Sequence, residues 1–92
     1  MEKLQKLELM DKILRELEDL NNSQTSVLKK LAQIETDNIT LGVELLTNRL
    51  PDLHEEVDSS VVIVSEIQSE FQVYRDTFFT DNKLEAQLDP TA

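Results

Sequence analysis

The sequence predicts an all-helical protein: an antiparallel hairpin of two long helices with a short connecting helix, forming a coiled coil or four-helix bundle by oligomerisation. Three observations predict it. Apolar residues recur at spacings of three and four from Met10 to Ile34 and again from Leu46 to Phe78, the period of an amphipathic helix. The chain holds one Gly and two Pro, too few turn residues for a sandwich or barrel. Its 92 residues, drawn out into long helices, enclose little interior of their own, so the apolar stripes need company to stay covered.

Residues 2–36 are read as the first helix. Met10, Ile13, Leu17, Leu20, Gln24, Val27, Leu31 and Ile34 form an unbroken heptad frame with one polar layer, Gln24. Leu14 and Leu28 fall beside it and widen the stripe. Acidic-to-basic pairs four residues apart recur at Glu2–Lys6, Glu8–Lys12 and Asp11–Arg15, the favourable orientation. Asn21-Asn22-Ser23 and Thr25-Ser26 are poor helix formers. The frame runs through them without a slip, which predicts one continuous helix rather than two.

Thr36-Asp37-Asn38 reads as a helix end and a turn. Residues 40–49 are expected to form the short connecting helix, with Thr40 as its N-cap. The alternative is that the first helix runs on towards Arg49, since Leu41 and Leu45 keep its phase; Gly42 would then cost about 1 kcal/mol relative to Ala. Pro51 is expected to mark the firmest boundary, because it lacks a backbone donor and disfavours a helical Leu50. It suits the first turn of a new helix. Asp52 and Glu55 resemble a capping box there, and Asp52, Glu55, Glu56 and Asp58 match the positive end of the helix dipole.

The second long helix is expected over residues 52–80, or to about 86 if the four-residue spacing of Leu84 and Leu88 carries it on. Its frame is Leu46, Leu50, Leu53, Val57, Ser60, Val64, Ile67, Phe71, Tyr74 and Phe78, with Val61 and Ile63 flanking and Val62 off the seam. The β-branched run Val61-Val62-Ile63-Val64 is strand-like in composition, but it has no mate and its flanks are helical in period. Residues 1–86 thus form a single domain, and residues 87–92 a flexible acidic tail. Each long helix has about 35 residues and spans about 50 Å. Matched lengths and a short connection predict an antiparallel hairpin. Gln24 and Ser60, the polar interruptions, are candidates for setting register or oligomer state.

Net charge is −10 and lopsided. Residues 1–37 carry six basic and eight acidic groups, residues 38–92 three and eleven. Such a chain lacks the clustered Lys and Arg that phosphate backbones and anionic membranes require. A basic protein partner is favoured through association rate. There is no Cys, which excludes disulfides, cysteine-type zinc sites and thiol catalysis. No apolar run reaches the roughly 18 residues of a membrane span, and no leader is visible. The expected location is cytoplasmic, with leaderless secretion compatible.

No catalytic, cofactor or metal residues are expected. His54 and Asp58 stand four apart, but a lone His among solvated carboxylates is a weak ligand set. No phosphate loop or nucleophile elbow is present. The expected partner or oligomer seam is Met10, Ile13, Leu17, Leu20, Gln24, Val27, Leu31, Ile34, Leu53, Val57, Val64, Ile67, Phe71, Tyr74 and Phe78. Phe79 and Val62 are candidate exposed contacts, and aromatics are common interface anchors. Glu55, Glu56, Asp58, Glu66, Glu70 and Asp76 form an acidic surface. In composition this surface resembles that of small acidic inhibitors, some made by phages, that imitate nucleic acid.

The layout also resembles small secreted helical hairpins with a Trp-x-Gly turn. Here, however, the turn reads Thr40-Leu41-Gly42, and Phe78 stands where their acidic tail residue would be. The sequence therefore predicts a non-catalytic helical interaction or adaptor module. It would assemble with itself, as a homodimer, or with another helical chain. The alternative is a small acidic inhibitor of a nucleic-acid-binding protein.

Overall fold

A computed structural model describes residues 2–84 of the chain. These residues form two helices, α1 (Lys3–Leu41) and α2 (Glu44–Asp81), folded back on each other as a hairpin 66 Å long. No strand occurs among the described residues, and the β-branched run near Val62 is helical. The expected tail at 87–92 and the extension through Leu88 lie outside the described residues.

Helix α1 is continuous through its polar middle. The residues that should weaken it bond back to the preceding turn: Thr25 Oγ1 donates to the Asn21 carbonyl at 3.0 Å and Ser26 Oγ to that of Asn22 at 3.1 Å. Local competition for the backbone is thereby satisfied inside the helix. At its start the Glu2 N–H donates to Gln5 Oε1 at 3.1 Å, closing one orphan donor.

There is no separate connecting helix at 40–49. α1 runs on to Leu41, and the direction reverses within Gly42 and Val43. Gly42 sits at φ 69°, and its N–H donates to the Asn38 carbonyl at 2.6 Å. This is the left-handed termination that Gly adopts without a Cβ penalty. Asn38 is buried at the corner. Its Oδ1 accepts from the Val43 N–H at 3.0 Å, and its Nδ2 donates to Thr47 Oγ1 at 2.9 Å. One side chain thus ties the end of α1 to the start of α2.

Pro51 is not a boundary either; it lies inside α2, past the first turn. The missing N–H leaves the Thr47 carbonyl without its usual donor, at a stretch where Thr47 and Pro51 are both exposed. Packing of the half-buried Leu46 and Leu50 outweighs a local cost of about 3 kcal/mol.

α2 ends in a Schellman motif. Lys83 occupies the left-handed position at φ 53°. Its N–H donates to the Thr80 carbonyl at 3.1 Å, and the Leu84 N–H donates to that of Phe79 at 3.1 Å. Leu84, expected to extend the helix, instead follows this reversal and is fully buried.

Candidate assembly face

A helix in a heptad packing presents rows of residues seven apart, with neighbouring rows about 50° apart around the axis. Two rows of α1 face α2. One is Leu7, Leu14, Asn21, Leu28, Glu35; the other is Met10, Leu17, Gln24, Leu31, Asn38. All are buried or half-buried, with Leu7 and Leu31 only 2% and 3% exposed. From α2 come Leu50, Val57, Val64, Phe71, Phe78 and, beside them, His54, Val61, Gln68, Arg75.

Seven of the fifteen expected seam residues lie outside this contact between the two helices. Leu20, Val27 and Ile34 are 45–47% exposed, and Ile13 is half-buried. These three and Ile13 form a third row, continued by the exposed Leu41, on one flank of α1. Leu53, Ile67 and Tyr74, also expected in the seam, are exposed on a third row of α2. Polar complementarity goes with this choice of rows. On one flank of the hairpin, Arg75 donates from Nε to Asp11 Oδ1 at 2.8 Å and from a terminal nitrogen to Oδ2 at 3.4 Å. Ser65 Oγ donates to Asn21 Oδ1 at 3.4 Å, and His54 Nδ1 meets Glu35 Oε1 at 2.6 Å. With these pairs the rows holding Asn21, Glu35, His54 and Arg75 lie inward. In an antiparallel pair the third rows of both helices then fall together on the opposite flank.

The two flanks differ chemically. One is closed by ionic and polar pairs. The other carries Ile13, Leu20, Val27, Ile34 beside Leu53, Ile67 and Tyr74, interrupted at mid-length by Ser60. Gln24 Nε2 donates to Ser60 Oγ at 2.8 Å, so the two polar interruptions noted in the sequence satisfy each other across the hairpin. Outside the apolar rows run Glu16, Lys30 and Asp37 on α1 and Arg49, Glu56, Ile63 and Glu70 on α2, all exposed.

Val62 is exposed. Phe79, expected to be exposed, is half-buried, with the Arg75 guanidinium 5.1 Å from its ring centroid; the contact is cation–π in type. Phe71 and Tyr74 are tilted at 6.1 Å between centroids. Glu55, Glu56, Asp58, Glu66, Glu70 and Asp76 are all exposed. His54 Nε2 lies 3.4 Å from Asp58 Oδ2. The hydrogen bond to Glu35 lifts the His54 pKa above the ordinary 6.5, desolvation opposes it, and the charges of Glu35 and Asp58 add to the rise. No group of three or more metal-type ligands occurs among the described residues. No helix among them is long and apolar enough to cross a membrane.

The sequence places Asn38 at a turn without showing what its side chain binds, and it gives no sign that Arg75 struts the two helices. The first had a faint signal, a turn-type Asn four residues before Gly. The second had none, because Asp11 lies far away in the chain. Comparison with protein-family models, curated proteins and solved structures yields no match to this chain.

Proposed function

We propose that this chain is a non-catalytic assembly module, whose apolar flank is covered by helices of another chain. The observation that carries this reading is the one-sidedness of the hairpin. Ile13, Leu20, Val27 and Ile34 lie beside Leu53 and Ile67 along one flank, while the other flank is closed by polar pairs. An exposed apolar stripe of this kind marks an interaction surface, and burying each large side chain contributes about 1.5–3 kcal/mol.

The test separates the flank from the core. Val27→Asp places a charge on the outward row and should lower association at least tenfold while leaving helicity intact. Leu31→Asp, at a position 3% exposed, should unfold the hairpin itself. Light scattering and circular dichroism read both. Unchanged association in the Val27 variant would refute the reading.

A second reading is favoured by the charge of α2, which carries nine acidic and two basic residues. That surface suits binding to a basic protein, as in an inhibitor that imitates nucleic acid. Charge reversal at Glu66 and Glu70 would then abolish salt-sensitive binding to a basic target, whereas an assembly module would respond chiefly to changes on the apolar flank.

A further inference from the structure

Resting on the assembly reading, we propose that the covering partner is a second copy of this chain, related by a twofold axis parallel to the helices. Both turns then lie at the same end, and α1 of each copy packs on α2 of the other.

Charge selects this arrangement. α1 carries six basic and seven acidic residues, and α2 two and nine. Alternating α1 and α2 around a four-helix bundle sets the two acidic helices on a diagonal. Turning the second copy end for end would instead put α2 beside α2, and like-charged neighbours across an interface are costly.

The register follows without a free choice. A twofold axis along the helices leaves every residue at its own height, so the levels within one hairpin are also the levels across the interface. Asp11 is level with Arg75 and Asn21 with Ser65. The offset of these two pairs places Asp37 level with Arg49 and Lys30 with Glu56, to within about one helical turn. All four flank the apolar rows and are exposed. In the dimer, Asp37 faces Arg49 of the second copy and Lys30 faces its Glu56, each pair occurring twice. Glu16 opposite Glu70 is the one like-charged level. End for end, Lys30 would meet Glu16, but Glu56 would meet Glu70 and Arg49 would lose its carboxylate. Such flanking pairs set partner and orientation in helical bundles.

Size permits it. The hairpin measures 66 × 21 Å in outline. Half of that footprint from each copy is on the order of 1,400 Å², within the roughly 1,200–2,000 Å² of stable interfaces.

The chain has no cysteine, so introduced pairs report cleanly. Lys30→Cys with Glu56→Cys should give a covalent dimer on mild oxidation. Glu16→Cys with Lys30→Cys should not. Arg49→Asp should weaken dimerisation about fivefold, and Asp37→Arg in the same chain should restore it, with helicity by circular dichroism held as the folding control. Dimers linked only through the second cysteine pair would overturn the arrangement and leave the assembly reading standing. A chain that stays monomeric, with a melting temperature independent of concentration, would overturn pairing with a second copy and leave the assembly reading to a different helical chain.

Discussion

Asn38 uses its side-chain oxygen, its side-chain nitrogen and its carbonyl to hold the corner, through Val43, Thr47 and Gly42. Replacing it by Ala strands the Val43 N–H at the start of α2. The expected cost is about 2 kcal/mol, read as a lowered denaturant midpoint; a change below the error of the measurement would dismiss the corner role. His54 offers a second residue-level prediction. Its folded pKa is raised, so the stability it contributes is complete below its unfolded value near 6.5. That stability is lost as pH rises through the folded value. Glu35→Gln should lower the His54 pKa, with Asp58 keeping a smaller part of the rise, and weaken this part of the pH dependence. Proton NMR of the single histidine checks it, and an unmoved titration would exclude the Glu35 bond. Residues of this kind were poorly legible. Gln24 and Ser60 stood out because they interrupt an apolar frame. Asn38 and Arg75 act through partners that only the folded chain brings near.

At the scale of elements, the helical character of both halves was legible, because the spacing of apolar residues is a property of the chain itself. The boundaries were not. Pro51 and the Asn38–Gly42 stretch each carry a local stop signal, and only tertiary packing decides between them. The corner at Gly42 has its left-handed conformation and three side-chain or backbone bonds from Asn38. Pro51 has no such reversal and is carried through by the packing around it. It therefore strains α2, and Pro51→Ala should stabilise the hairpin. The interior penalty of about 3 kcal/mol is offset by up to about 1 kcal/mol of chain entropy. A net gain near 2 kcal/mol is expected in thermal or chemical unfolding. A loss of stability on this change would mean that the proline serves the fold.

For the whole molecule, the choice of seam was the part that sequence left open. α1 has apolar residues on both sides of the Met10–Leu31 row, so either side matches the heptad pattern. Arg75 with Asp11, Ser65 with Asn21 and His54 with Glu35 break that tie. Exchanging Asp11 and Arg75 for leucines should therefore blur the choice of flank, lower helical order and raise exposure of Val61 and Leu14 to apolar dyes. An unaltered dye response would show that apolar packing alone fixes the pairing.

Growth of the proposed bundle is self-limiting for the same reason that Asp11, Asn21 and Glu35 are spoken for. A rod that was greasy all round would recruit neighbours without end and drift towards filaments. Here the back of each hairpin is wetted by carboxylate, amide and imidazole, with exposed apolar residues such as Ile39 and Val62 scattered singly, so capping the oily side leaves no continuous stripe for a further copy.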